Sequence, residues 1–164
     1  MNRKGFTLIE VLAVIVILGI ILVVAAPSIS NAYKNSKLKS EEIFTERLSQ
    51  IIDSYVKLNS SDIIFESDGK ANKTKENSTY IVDIFKGATT ISKVIDDKLI
   101  SEEDYINPGN KETKCSQTAE IEVYKDSDYV YCYKVYKDSL GCLTTEYKQS
   151  IAGDYVIDTC IWSR

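Results

Sequence analysis

The chain has 164 residues, of which 27% are charged and 44% hydrophobic, with a formal net charge of −4 and no histidine. Without histidine it lacks the usual general base, the usual zinc ligand and any Ser-His-Asp or Cys-His arrangement, so we predict no catalytic residues, no metal site and no cofactor. The acidic balance argues against a dedicated nucleic-acid binder, because phosphate binding needs a basic surface. The length suits one domain, or one small domain with a membrane element.

Charge is missing from a long stretch near the N-terminus. Residues 11–26 contain neither a charged nor a hydrogen-bonding side chain, and residues 6–26 would span about 31 Å as a helix. Since a bilayer core is about 30 Å thick, this segment is long enough to cross a membrane. Arg3 and Lys4 precede it, so the positive-inside rule leaves the N-terminus in the cytoplasm and places residues 27–164 outside.

Glu10 lies inside this apolar segment. A carboxylate at membrane depth costs about 2.5 kcal/mol or more unless it is paired or close to the headgroups. Residues 25–28 could serve as the cleavage site of an ordinary secretory signal. Such a signal, however, gains nothing from a carboxylate in its apolar segment. A helix that packs beside identical helices gains a specific charge partner. Glu10 therefore favours an assembling helix, and the alternative is a carboxylate that reaches water at the membrane surface.

The run Lys4-Gly5-Phe6-Thr7-Leu8-Ile9-Glu10-Val11-Leu12, followed by a long apolar helix, resembles the N-terminus of type IV pilins and pseudopilins. The resemblance covers about residues 3–27. It implies that prepilin peptidase cuts between Gly5 and Phe6 and that the new Phe6 amine is then methylated. Glycine suits the cut because it has no Cβ and lets the backbone enter a tight site in an extended form.

The same resemblance assigns roles to three further residues. It implies that Glu10 neutralises the N-terminal amine of a neighbouring subunit, which would also set the register between subunits. It implies that Gly19 and Pro27 weaken the helix, so that the stretch between them loosens in a filament. For Gly19 the alternative of a small residue that lets helices approach remains open.

From residue 28 to residue 58 a helical period continues, but the segment becomes amphipathic. We predict that the helix ends near residues 59–61, where three short polar side chains compete for backbone hydrogen bonds. This half of the helix should pack on a head domain. The predicted packing face contains Ile29, Tyr33, Ser36, Ser40, Phe44, Leu48, Ile51, Tyr55 and Leu58.

Residues 59–114 are predicted to be a connecting region of loops with one short helix. Residues 66–79 are polar throughout and indicate an exposed loop, and a helix is predicted at Ile91–Leu99 with Thr90 as N-cap. Lysines 70, 73 and 75 form a small basic patch in the loop. A solvated loop explains the patch, and local binding of an anion such as nucleic acid is the alternative.

Residues 115–164 alternate as strands do. Glu120–Tyr124 and Tyr129–Tyr136 predict one hairpin, and Leu143–Tyr147 and Asp154–Trp162 predict another. The tyrosines of the first hairpin indicate either a stacking surface for sugars or the ordinary composition of a half-buried sheet. The sequence thus predicts an α+β fold, in which a long N-terminal helix packs on an antiparallel sheet of about four strands.

Four cysteines lie in the part predicted to be outside: Cys115, Cys132, Cys142 and Cys160. Four thiols in a small exported head favour two disulfides, for which three connectivities are possible. The second hairpin would bring Cys142 close to Cys160 and leave Cys115 for Cys132. A four-cysteine zinc site is a weaker interpretation, because no Cys-X-X-Cys occurs.

The sequence therefore predicts a structural subunit of a type IV pilus or a similar filament. Its predicted segments are a leader (1–5), a hydrophobic helix (6–27), an amphipathic helix (28–58), the connecting region (59–114) and a sheet with cysteines (115–164). The resemblance implies as partners other pilins or copies of this chain, prepilin peptidase, the pilus assembly ATPase and the inner-membrane platform protein. It implies a precursor in the cytoplasmic membrane and then a filament on the cell surface, serving adhesion or twitching motility. The alternatives are a pseudopilin or minor pilin of a secretion or DNA-uptake system, or an uncut single-pass binding protein.

Overall fold

The computed structural model describes residues 7–75, 78–100, 105–109 and 113–162. The chain divides into two compact units, Met1–Lys37 and Leu38–Arg164. A single helix, α1 (Leu8–Leu58), supplies the described part of the first unit and the first element of the second. It ends where the short polar side chains of residues 59–61 begin, as predicted, and a 3₁₀ turn at Ser60–Asp62 follows.

The second unit is an antiparallel sheet with helices packed on it. The strands are β1 (Glu66–Lys75), β2 (Ser78–Thr90), β3 (Glu120–Asp126), β4 (Tyr131–Tyr136) and β5 (Tyr155–Asp158), and the short helices are α2 (Ile91–Asp96) and α3 (Thr145–Ser150). The strands lie in the order β1-β2-β3-β4-β5. The predicted α+β class is confirmed, with five strands in place of about four.

The core lies between one face of the sheet and residues 38–58 of α1. Strand β3 buries Ile121 and Val123 completely, because alternate residues of a strand face the same side. The buried side chains of α1 are Glu41, Phe44, Thr45, Leu48, Ile52, Tyr55 and Val56. The predicted packing face is right at Phe44, Leu48 and Tyr55. It is wrong at four positions whose side chains are exposed: Ile29, Tyr33, Ser36 and Leu58.

The predicted exposed loop at residues 66–79 is wrong, because β1 and the start of β2 form a hairpin there. Strand β1 is polar in composition because only two of its residues, Ala71 and Lys73, are buried. Ala71 lies opposite Val82 in the register, and both are buried. The next buried position is Lys73, whose ammonium is paired with Asp126 and Asp128. The positive charge of the predicted basic patch is therefore partly neutralised within the fold. The region 59–114, predicted as loops with one short helix, contributes two strands to the sheet.

The predicted strand at Leu143–Tyr147 is also wrong, because helix α3 begins at Thr145. Thr144 is the N-cap, and its hydroxyl accepts a hydrogen bond from the Tyr147 backbone N–H at 3.4 Å. The first predicted hairpin is confirmed as β3 and β4. Strand β5 pairs with β4 rather than with residues 143–147.

The prediction of two disulfides is confirmed, but the favoured pairing is wrong. The structure joins Cys115 to Cys142 and Cys132 to Cys160. Lys134 of β4 lies opposite Asp158 of β5. Because the strands are antiparallel, two residues back from Lys134 and two residues on from Asp158 the register brings Cys132 to Cys160. The mistaken strand at 143–147 is what placed Cys142 beside Cys160.

Both bridges are expected to stabilise the head. Their sequence separations are 27 and 28 residues, for which the chain-entropy model gives about 3.5 kcal/mol each. Peptide mapping without reduction should recover 115–142 and 132–160 as the linked pairs, and reduction should add about 4 Da to the intact mass. Recovery of a 142–160 peptide would contradict this connectivity.

Candidate assembly segment

The first part of α1 is apolar around its whole circumference. Its most apolar 18-residue stretch has a mean hydropathy of 3.2 and no buried residue, and α1 is long and apolar enough to cross a membrane. Fourteen large apolar side chains from Leu8 to Val24 are each at least 50% exposed. A helix that is hydrophobic all round is stable only when lipid or other protein surrounds it.

Glu10 fixes the start of this helix. Thr7 precedes the first helical residue, Leu8, which makes Glu10 the third residue of α1. One Glu10 carboxylate oxygen, Oε2, accepts hydrogen bonds from the Thr7 backbone N–H (2.9 Å) and from the Thr7 hydroxyl (2.7 Å). The bond to the N-cap N–H is one half of a capping box and satisfies a backbone donor that the helix leaves unpaired. The Thr-X-X-Glu spacing was a sequence signal for this role, which the sequence prediction missed.

The structure does not describe every residue of the predicted processing site. Gly5 and Phe6 lie outside the described residues, as does the leader. Gly19 and Pro27 both lie within α1, which continues through each of them. A Cβ added at Gly19 would meet no atom within 4 Å. Pro27 has no N–H, so the Val23 carbonyl lacks its usual helical partner.

Glu41 is the most unusual residue in the second half of the helix, because its carboxylate is completely buried. One oxygen accepts hydrogen bonds from the Asn107 side-chain amide and from the Thr144 backbone N–H, the second at 2.9 Å. The other oxygen accepts from the Thr144 hydroxyl. Asn107 also donates to the Cys142 carbonyl at 3.0 Å. This network ties α1 to the loop at 105–109 and to the start of α3.

Two tyrosines extend the polar contacts of α1. The hydroxyls of Thr45 and Tyr147 lie 2.8 Å apart, and the Tyr133 hydroxyl donates to the Ser49 carbonyl at 2.7 Å. Burial raises the pKa of both tyrosines, which keeps their hydroxyls protonated at neutral pH. The helix is therefore held on the sheet by specific hydrogen bonds as well as by apolar packing.

No local pattern in the sequence indicates the Glu41 network. Glu41 is followed directly by a second glutamate, Glu42, and it is not part of the predicted packing face of the helix. Its partners Asn107 and Thr144 are 66 and 103 residues away along the chain. Only the folded head brings them together.

Comparison with known families gives a match at the N-terminus. Residues 1–26 match the prokaryotic N-terminal methylation motif, the class III leader of type IV pilins. The resemblance inferred from residues 3–27 is confirmed by this match. No curated protein and no solved structure matches the chain. The motif points to a structural, non-enzymatic protein, and together with the apolar helix it fits a membrane-anchored precursor.

Proposed function

We propose that this chain is a structural subunit of a type IV pilus or pilus-like filament. It enters the membrane as a prepilin, is cleaved after Gly5, is methylated at Phe6 and polymerises through residues 6–27. One observation supports the proposal most strongly. The methylation motif leads directly into a helix whose apolar surface is not covered by any other part of the described chain.

The apolar surface explains why a membrane stage and a polymer stage both suit this chain. Exposing its fourteen large side chains to water would cost about 20–40 kcal/mol, at roughly 1.5–3 kcal/mol each. Lipid tails cover them before assembly, and parallel copies of the same helix cover them in the filament. Because lipid is as apolar as a helix bundle, this exchange has little hydrophobic driving force of its own. The work of extraction then falls to the proposed assembly ATPase and platform protein.

Polar groups must set the register, because apolar contacts alone do not. After cleavage, the Phe6 amine would be a cation beside the apolar segment, and Glu10 is its anion. Both Thr7 hydrogen bonds go to Glu10 Oε2, and Oε1 has no hydrogen-bond partner among the described residues. Oε1 is therefore available to the amine of a neighbouring subunit. Burying either charge without the other would be costly, so paired subunits are favoured.

The processing step is tested by Gly5→Val. A β-branched side chain at the cleavage site should block entry to the peptidase, so the membrane fraction should contain the chain with Met1 and its leader intact. Gly19→Ala is the matched control, because a Cβ there meets no atom. Intact-mass measurement of both variants checks the prediction. Normal loss of residues 1–5 from Gly5→Val would contradict the peptidase assignment.

A further inference from the structure

Lys125 lies among three aromatic rings on the sheet face that also carries the core. Its ammonium nitrogen is 4.8 Å from the ring centroid of Phe65, 5.5 Å from that of Phe85 and 5.4 Å from that of Tyr129. No carboxylate in the described part of the chain forms an ion pair with it. We call Phe65, Phe85, Lys125 and Tyr129 the aromatic pocket.

The fold places two of these rings by close backbone packing. Phe85 lies directly opposite Lys125 in the register of β2 and β3. Phe65 reaches the site because residues 63–65 cross β2 at Gly87, where an added Cβ would lie 2.6 Å from the Ile63 side chain. Glycine is required at that crossing. The path of the backbone therefore determines the position of Phe65.

Tyr129 is held in a costly conformation. Its φ is 62°, in the left-handed region that non-glycine residues avoid. The turn is fixed by Asp126, whose Oδ1 accepts from the backbone N–H groups of Asp128 and Val130, each at 2.9 Å. The other oxygen of Asp126 binds the ammonium of Lys73. Burial alone would lower the pKa of Lys73, but its hydrogen bonds to the two aspartates raise it, so it remains charged.

This strained turn presents a ring that is 74% exposed. An aromatic side chain that is this exposed gains little burial energy to compensate for the strain. Strained backbone that the surrounding contacts fix firmly is characteristic of binding sites. The ring borders a cavity of about 270 Å³, lined by Phe85, Lys125, Asp126, Ser127 and Tyr129.

The chemistry of the cavity selects its ligand. A cationic ligand is excluded, because Lys125 already occupies the cation position over the rings. A polyanion is disfavoured by the acidic chain and by Asp126 and Asp128 beside the turn. The cavity volume lies just below the range of drug-sized ligand pockets, which suits one compact ring with a single negative charge. A sugar acid has both an apolar C–H face for the aromatic ring and a carboxylate for the ammonium.

We propose that the aromatic pocket binds a carboxylated sugar of the hexuronic acid class. The carboxylate of the sugar forms an ion pair with the Lys125 ammonium, and the apolar face of the pyranose ring stacks on the Tyr129 ring. This activity belongs to the head and is independent of filament assembly.

The test uses the full chain in detergent micelles, with sodium glucuronate and neutral glucose as the paired probes. Saturation-transfer NMR titration should give a glucuronate Kd on the order of 1 mM and at least about tenfold weaker binding of glucose. Lys125→Gln, which keeps the aliphatic stem but removes the charge, should weaken glucuronate binding by about tenfold or more. Tyr129→Gly should weaken it similarly while keeping the turn, because glycine accepts a positive φ.

Lys70→Gln is the matched control, since Lys70 is an exposed lysine of the same sheet whose nearest acid, Asp83, is 3.8 Å away. It should bind glucuronate as the unchanged chain does. Failure of glucuronate to bind saturably, equal binding of glucose, or full binding by Lys125→Gln would overturn the proposal. Preferential binding of an oligothymidylate would overturn it too, and would identify the pocket as a base-stacking site.

Discussion

Glu10→Gln is expected to abolish filament assembly while the chain still inserts in the membrane and its head still folds. Glutamine keeps the capping-box geometry with Thr7, since Gln serves at that position as Glu does. It cannot neutralise the amine of a neighbouring subunit. Leaving one partner of a buried ion pair uncompensated costs about 3–5 kcal/mol, which lowers the association constant by roughly 150- to 4,000-fold for each subunit contact. Immunoblots of sheared filaments against cell-associated protein measure the loss.

Thr7→Val separates the two roles of Glu10. Valine removes the 2.7 Å hydroxyl bond but leaves the backbone N–H bond and the charge of Glu10 in place. This variant should assemble at close to the normal level. Normal filament yield from Glu10→Gln would contradict the charge-pairing role. An equal loss from Thr7→Val would contradict it as well, because that variant keeps the charge of Glu10 and removes only its contact with the Thr7 hydroxyl.

Glu41→Ala is expected to lower the free energy of unfolding of the head by about 3–5 kcal/mol. The substitution leaves three donors, on Asn107 and Thr144, without an acceptor in a site that is closed to solvent. It also creates a cavity beside Gly109, whose backbone packs against the Glu41 side chain. Urea unfolding of the full chain in detergent, followed by the fluorescence of Trp162, the only tryptophan, measures the change.

Glu42→Ala is the matched control for this variant. Glu42 is the next residue on the same helix, is half exposed and pairs with Lys39 at 2.8 Å. Exposed pairs three residues apart on a helix contribute only about 0.2–0.5 kcal/mol. Similar losses from the two variants would show that the buried network adds nothing beyond a surface charge.

The N-terminal segment was predictable because its signals are local. The Gly5-Phe6 junction, the carboxylate at Glu10 and the uncharged residues 11–26 all lie in one short stretch. The period of the amphipathic half located Phe44 and Leu48 for the same reason. No long-range contact was needed to interpret these residues.

The errors in the head all involve contacts between residues that are far apart in the chain. Strand β1 was taken for a loop because burial of Lys73 depends on Asp126, which lies 53 residues later. The alternation of residues 115–164 predicts a strand at 143–147, whereas Thr144 instead caps α3 and binds Glu41, which lies 103 residues earlier. The pairing of Cys142 followed from that second error. The aromatic pocket likewise forms only when Phe65 crosses Gly87.

The most direct test of the filament proposal is the N-terminal peptide of protein sheared from the cell surface, sequenced by mass spectrometry. We expect a peptide that begins at N-methylated Phe6, which would show both the cut after Gly5 and the presence of the processed chain in an extracellular fibre. A chain that remains in the membrane with Met1 intact would contradict the proposal and favour an anchored binding protein. A start at or near Ser28 would contradict it as well, because that cut is made on an ordinary secretory signal.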